Sequence, residues 1–282
     1  MSTLQHKIDF AVILKVTNAN PNGDPLNGNR PRTDYANYGE ITDVCMKRKM
    51  RDRLMESGQA IFVQSDDRKN DEAKSLRDRA ERALGKKLGS SETVALACKT
   101  WFDVRAFGQL FAFKKTGKKS QEGGDENGDT GTSIGIRGPV TVQSAFSVAP
   151  IDVTSVQITK SVSGEGDGSK RGSDTMGMKH RVDHAVYVSF GSMNPQLADR
   201  TGFSDADADS IKQVLPKLFQ NDESAARPAG SMEVLKIVWW KHDSKAGKYS
   251  SAKVHRSLTV GPDGTCTLSD LPGLKPEIIE GF

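Results

Sequence analysis

The stretch "IDFAVILKV", residues 8–16, is apolar and rich in β-branched residues. Such a run predicts a buried strand. The later stretch "ITDVCMKRKMRDRLMESG", residues 41–58, predicts a helix, because Thr42 is a good N-cap, Asp43 suits the first turn and Gly58 is a common stop. A buried strand followed by an amphipathic helix is the start of a layered α+β domain.

The helix carries an apolar stripe and a basic cluster. Met46, Met50 and Leu54 recur every four residues, which predicts that they face the core. The segment "KRKMRDR", residues 47–53, carries five basic residues and one aspartate on a chain whose net charge is only +4. We expect these basic side chains to point toward water or a partner. A local basic cluster is typical of nucleic-acid binding, and a solvated face is the alternative.

Further elements are predicted along the rest of the chain. Residues 66–87 and 92–113 predict helices, and residues 114–132 predict a surface loop without apolar residues. Strands are predicted over residues 133–148, 153–162, 180–191 and 232–243, with a helix over residues 204–222. Without the segment 60–133 the order is strand, helix, strand, strand, helix, strand, which is the ferredoxin-like βαββαβ order. The segment 60–133 is then an insertion.

Composition restricts the class of protein. The chain of 282 residues is 35% hydrophobic and shows no linker that would divide it. Its cysteines, Cys45, Cys98 and Cys266, are odd in number and far apart, which argues against a disulfide framework or a zinc site and favours the cytoplasm. Residues 1–7 do not resemble a signal peptide, and no apolar run is long enough to span a membrane. We expect no membrane partner and no cofactor.

Signals of catalysis are weak. No histidine sits in an H-E-x-x-H spacing, and His180 and His184, four residues apart, fall at the entry of a predicted strand. No P-loop and no G-x-S-x-G elbow is present. Asp24 and Asp34 could hold a metal in a ribonuclease, whereas the simpler interpretation makes them turn formers.

The loop "NANPNGDPLNGNRPRTD", residues 18–34, combines turn formers with side-chain amides. Amides and accessible backbone N–H groups suit phosphate and sugar contacts. The loop leads to a helix N-terminus at Thr42, which also favours anions. The sequence therefore predicts RNA contacts at Asn20, Asn22, Arg30 and Arg32.

This loop, followed by "GEITDVCMKRKMRDRL" at residues 39–54, resembles the backbone subunit family of the type I-C CRISPR Cascade complex. The blocks "WFDVRAFGQLFAF", "IRGPVTVQSAFSVAPI" and "DTMGMKHRVDHAVY" are similar to further blocks of that family, in the same order. The resemblance runs from about residue 8 to about residue 240. One departure is Met178, which stands where the family pattern has a basic residue.

The resemblance implies a hand-shaped RAMP protein. An RRM-like palm would comprise residues 1–59, 134–148 and 181–282, a helical finger residues 60–133, and a β-hairpin thumb residues 149–180. Copies would stack head to tail along one CRISPR guide RNA and leave most nucleotides free to pair with a target DNA strand. The other partners implied are the large, small and RNA-processing Cascade subunits. The protein itself would be non-catalytic.

Contacts with the guide are predicted in three places. Besides the loop, the helix would contribute Lys47, Arg48, Lys49 and Arg51. The thumb and its base would contribute Arg137, Lys160, Lys170, Arg171, Met176, Lys179 and His180, with Met176 as an apolar wedge. Two alternatives stay open: a RAMP ribonuclease using Asp24 or Asp34, and a protein without RNA that docks an acidic partner through its basic helix.

Overall fold

A computed structural model describes residues 2–113, 132–161 and 176–282 of the chain. Its α-helices are α1 (Asp43–Glu56), α2 (Leu76–Leu84), α3 (Thr93–Thr100), α4 (Phe102–Phe107), α5 (Pro195–Thr201), α6 (Asp205–Val214) and α7 (Ser251–His255). Its strands are β1 (Ile8–Ala19), β2 (Gly23–Asp24), β3 (Arg30–Thr33), β4 (Tyr38–Ile41), β5 (Gly108–Phe113), β6 (Thr132–Arg137), β7 (Val140–Val142), β8 (Ala145–Pro150), β9 (Val153–Thr159), β10 (Met176–Met193), β11 (Met232–Lys241), β12 (Leu258–Val260), β13 (Cys266–Leu268) and β14 (Glu277–Glu280). The molecule is thus a mixed α/β protein.

One large antiparallel sheet organises the structure, in the spatial order β14-β11-β1-β10-β8-β4-β3-β2. β1 lies between β10 and β11, and Ile8 is opposite Met193 on one side and Lys241 on the other. This central position explains why β1 is apolar almost throughout, since both of its faces are covered. In chain order β1 is followed by α1, β8, β10, α6 and β11, with further strands and helices between them.

Helices α1 and α6 pack on one face of the sheet. Met46, Met50 and Leu54 are fully buried there, so the predicted stripe of α1 is confirmed. The Thr42 side chain accepts a hydrogen bond from the backbone N–H of Cys45, as expected of an N-cap.

The helix predicted over residues 204–222 is shorter than expected. α6 opens with a capping box between Ser204 and Asp207 and ends at Val214. A 3₁₀ turn, Leu215–Lys217, then accommodates Pro216, because proline cannot continue the α-helical hydrogen-bond pattern.

The C-terminal segment covers the other face of the sheet. Ala11, Val186 and Trp240 of the sheet are buried together with Val254 and Leu274 of that segment. The hairpin of β12 and β13 belongs to the same layer, and its turn lies at the predicted "GPDG". Both faces of the central sheet are therefore closed.

The inserted segment between α1 and β7 has its own apolar cluster, which includes Phe62, Trp101 and Phe111. Two helix predictions in it are correct only in part, since α2 lies within the predicted 66–87, and α3 and α4 lie within the predicted 92–113. Residues 66–75 form turns, because the side chains of Gln64 and Asp71 accept backbone N–H groups of this stretch. Residues 108–113 form strand β5, because Gly108, at φ +83°, ends α4.

The last feature is a two-stranded ribbon. β9 pairs with the first residues of β10, from Met176 opposite Thr159 to Val182 opposite Val153. The tip predicted between these strands lies outside the described residues, as do residues 114–131. Within the described part, no helix is both long and apolar enough to cross a membrane.

Candidate nucleic-acid interface

The amides of the opening loop hold the loop itself together. Asn20 is 4% exposed, and its Nδ2 donates to the carbonyl oxygen of Asn29 at 2.7 Å. The Oδ1 of Asn22 accepts from the backbone N–H of Thr42 at 3.0 Å and from its hydroxyl at 2.9 Å. The RNA contact predicted for the Asn20 side chain is therefore corrected to a structural role, because burial removes it from the surface. Asn22 fixes the loop on the N-terminus of α1.

The glycines and aspartates of the loop also serve its turns. A Cβ at Gly23 would lie 2.1 Å from Oδ1 of Asn29, so a larger residue there would displace the Asn29 side chain. Asp24 accepts the backbone N–H of Leu26. Asp34 accepts the backbone N–H groups of Ala36 and Tyr38, both at 2.9 Å. The turn-former interpretation of Asp24 and Asp34 is confirmed.

The arginines of the loop differ in their surroundings. Nη2 of Arg32 lies 3.4 Å from Oδ1 of Asp24, and the two side chains are half-buried. Arg30 is half-buried on β3, and its guanidinium makes no ion pair within the described part of the chain. Among those same residues, no group of three or more histidine, cysteine, aspartate or glutamate side chains is placed to hold a metal ion.

The basic side chains of α1 lie on several faces of the helix, and several of them pair with acidic residues. Lys47 pairs with Asp43 at 2.9 Å, one turn earlier. Arg51 donates to Asp103 at 2.9 Å, and its guanidinium lies 5.2 Å from the centre of the Phe107 ring. The arrangement is thus not one continuous basic surface.

Lys49 departs most from the sequence prediction. Its side chain is buried and donates to the Asp222 carboxylate. The expectation that it points toward water or a partner is wrong, because residue 49 lies on the same helix face as the buried Met46 and Met50. Arg48 reaches the same site, 3.3 Å from Asp222 and 3.0 Å from Asp52.

Charge neutralisation explains how this buried site is tolerated. Burial by itself would raise the pKa of Asp222, but Lys49, Arg227 and Arg48 hold that pKa below its usual range. Nε of Arg227 lies 3.0 Å from the carboxylate. Asp222 therefore stays ionised and joins α1 to the segment before β11.

An open cleft of about 670 Å³ brings two predicted site residues together. Lys47 of α1 and Arg137 of β6 both line it, with Gln109 and Thr141 as further polar groups. Arg137 is exposed and makes no ion pair among the residues described. Sequence reasoning missed Gln109, because it placed that residue in a helix.

Two glycines set the wall of this cleft. A Cβ at Gly108 would lie 2.2 Å from the carbonyl oxygen of Ile136, and a Cβ at Gly138 would lie 2.3 Å from that of Ala106. The backbones of β5 and β6 therefore pack closely at this end of the hairpin, and Gly138, just after β6, packs on the backbone of α4, which positions Arg137.

The ribbon of β9 and β10 presents two different faces. Met176, Met178 and His180 alternate onto one face, with Met176 64% exposed and Nδ1 of His180 2.8 Å from the Ser155 hydroxyl. Lys179 lies on the other face, opposite Val156.

The remaining predicted RNA contacts of this region are three basic residues. Lys160 is exposed one residue beyond the end of β9. Lys170 and Arg171 lie outside the described residues.

His180 and His184 are about 13 Å apart along an extended strand, so a two-histidine metal site is contradicted by the geometry.

The fold and these surfaces define a mixed α/β protein with an inserted unit, an exposed ribbon and an open cleft lined by Lys47 and Arg137. The family model described as CRISPR-associated protein Cas7 matches residues 6–271, so the chain belongs to the Cas7 family. It is similar to a CRISPR-associated protein Cas7 of Haloferax volcanii, with 24% identity over 99% of this chain and 82% of the relative.

The chain is also similar to two solved structures. One, a CRISPR RNA-guided surveillance complex in a pre-nicking state, matches with a TM-score of 0.48 and 13% identity over 83% of this chain and 78% of its own. The other, a CRISPR RNA-guided surveillance complex, matches with a TM-score of 0.44 and 16% identity over 92% of this chain and 77% of its own.

Proposed function

We propose that this Cas7-family chain is the guide-RNA-binding backbone subunit of a type I-C Cascade, an RNA-guided surveillance complex. Family membership supports the backbone role. The resemblance of the opening loop, the basic helix and three later blocks supports the subtype. In this proposal the chain is non-catalytic, and RNA processing and target cleavage belong to other subunits.

The proposed palm is the sheet β11-β1-β10-β8 with α1 and α6, an RRM-like arrangement with the antiparallel strand order of a ferredoxin-like fold. The inserted segment with its own apolar cluster would be the finger. The ribbon of β9 and β10 would be the thumb. Copies would stack head to tail, so that one guide RNA contacts each copy in turn. Other Cascade subunits would lie at the ends of the stack and alongside it.

One observation carries the RNA proposal: Lys47 and Arg137, from distant parts of the chain, line one open cleft. An RRM commonly stacks bases on its open sheet face, but here the C-terminal segment buries that face. A cleft beside α1 with cationic side chains suits phosphate contacts instead. Such contacts carry no base preference, which a holder of arbitrary guides requires.

Further contacts are proposed around this cleft and on the thumb. Basic side chains fit phosphate, and the exposed Met176 fits a wedge between bases. Asn20 and Lys49 are withdrawn as direct contacts. The remaining proposed set is Asn22, Arg30, Arg32, Lys47, Arg48, Arg51, Arg137, Lys160, Lys170, Arg171, Met176, Lys179 and His180.

Co-expression with the companion subunits and a CRISPR array tests the proposal. The purified complex should contain RNA of one defined length, protected from nuclease at regular intervals, that pairs with a complementary DNA strand. If the complex contains host RNA of random sequence instead, the chain is only a general RNA-binding protein. A normally assembled complex without RNA would overturn the proposal and favour docking of an acidic protein.

A further inference from the structure

A second cleft, of about 530 Å³, lies at the carboxyl end of α1. Its walls come from the last turn of α1, from α6 with the 3₁₀ turn that follows, and from Phe282. The cleft at Lys47 shares no lining residue with it. Nothing in the proposed guide-binding role uses this second cleft.

Arg53 is the unusual residue of this cleft. Its side chain is 4% exposed, and none of its three guanidinium nitrogens has a hydrogen-bond partner within the described residues. Oε2 of Glu56 lies 2.7 Å from Nη1, but the pair is not aligned as a hydrogen bond. A guanidinium offers five N–H donors, and burying such donors unpaired is unfavourable. The site therefore lacks a well-aligned acceptor.

Glu56 is shared between Arg53 and other partners. Its carboxylate is also approached by Arg68 and Asn221, each with a nitrogen–oxygen distance of 3.4 Å. The Glu56 side chain is 41% exposed, so it has room to turn toward water. Movement of this one side chain would open the guanidinium to a ligand.

The rim offers further hydrogen-bond donors. The amides of Gln59 and Gln213 line the cleft, and Lys217 stands at its mouth with Nζ 4.8 Å from the centre of the Phe282 ring. Amides and cations around a buried guanidinium suit an anion on a small polar molecule. Planar oxyanions match the guanidinium with two parallel hydrogen bonds.

We propose that this cleft is an oxyanion site, in which the phosphate or carboxylate group of a small ligand pairs with Arg53 and displaces Glu56. Glu56 then acts as a built-in competitor for the ligand. The site is independent of guide binding, so either proposal can fail alone.

Calorimetric titration of the purified full chain tests the site, with inorganic phosphate and acetate as separate probes at constant ionic strength. The wild type should show saturable one-site binding of at least one probe. Arg53→Lys should weaken that binding tenfold or more, because lysine cannot form the paired contact. Glu56→Gln should tighten it several-fold, because the competing charge is removed. Binding of phosphate alone would indicate phosphate esters as ligands, and binding of acetate would indicate carboxylates.

Three controls make the result decisive. Lys86→Gln, on the exposed turn after α2, should leave anion binding unchanged. Lys217→Gln, at the mouth of the cleft, should weaken binding several-fold and replaces Arg53→Lys if that variant does not fold. The Arg53→Lys chain should bind RNA like the wild type. Absence of saturable binding, or binding lost in Lys47→Gln but retained in Arg53→Lys, would overturn the proposal.

Discussion

Lys49 and Asp222, 173 residues apart in sequence, form a buried ion pair between α1 and the segment that precedes β11. The Asp222 carboxylate also pairs with Arg48 and Arg227, at 3.3 and 3.0 Å. One carboxylate thus contacts three cations, of which Arg48 also pairs with Asp52, so removal of the carboxylate and removal of one cation are not equivalent. This asymmetry leads to the first prediction.

Asp222→Asn should lower the free energy of unfolding by about 3–5 kcal/mol, because it leaves a buried lysine without its counter-charge. Lys49→Met should have a smaller effect, since Asp222 keeps two arginines and methionine fills similar space. Urea unfolding measures both, and Asp209→Asn on the exposed side of α6 should stay within about 0.5 kcal/mol of wild type. A larger loss in Lys49→Met than in Asp222→Asn would contradict this account.

The second prediction concerns Lys47 and Arg137. The double variant Lys47→Gln, Arg137→Gln should weaken binding of single-stranded RNA by the same factor for every sequence. The slope of log affinity against log salt should decrease by about 1.4, for two lost phosphate contacts. Filter binding over a salt series, with RNAs of different sequence, measures both quantities.

The matched control for this pair is Lys74→Gln, Lys86→Gln, which removes two exposed charges on either side of α2. It should change affinity much less, because these charges are away from the cleft. A loss that differs among RNA sequences would show that the cleft reads bases, against the proposal.

The third prediction tests the glycine contact that positions Arg137. Gly138→Ala should lower the free energy of unfolding by more than about 1 kcal/mol and weaken RNA binding, because its Cβ would lie 2.3 Å from the carbonyl oxygen of Ala106. Gly135→Ala is the control, since its Cβ meets only a Leu110 methyl at 3.9 Å. Thermal unfolding and RNA binding should be nearly normal in this control. Equal behaviour of the two variants would disprove the proposed role of the contact.

The fourth prediction is a pH dependence that comes from His255. Its ring stacks on Phe190, with ring centres 4.7 Å apart, and Nε2 lies 3.3 Å from the carbonyl oxygen of Gly191. Burial lowers the pKa of His255 below its usual value, and nearby Asp9 offsets only part of this effect. The unfolded chain therefore binds a proton more readily than the folded chain.

The stabilisation from neutral His255 should be present above the unfolded pKa of about 6.5 and decline as the pH falls from there toward the folded pKa. Urea unfolding at a series of pH values measures it as the difference between wild type and His255→Gln. That difference should shrink on acidification from pH 7.5 to 5. A difference that grows on acidification would mean that the predicted direction of the pKa shift of His255 is wrong.

Local patterns in the sequence determined much of the architecture. The apolar run of β1 predicted a buried strand, and the four-residue recurrence of Met46, Met50 and Leu54 predicted the buried face of α1. Thr42 was identifiable as an N-cap because capping depends only on adjacent residues. These features depend on residues that are close in the chain, so they can be predicted without knowledge of the tertiary fold.

The tertiary structure alone decided which polar side chains are free. Lys47 and Lys49 look alike in sequence, yet one lines an open cleft and the other is buried against Asp222. Asn20 looked suited to RNA, but its amide holds the carbonyl of Asn29. Whether a polar side chain faces water depends on which distant segment packs against it. The sequence therefore determined β1, α1 and their buried faces, whereas long-range packing determined the candidate site.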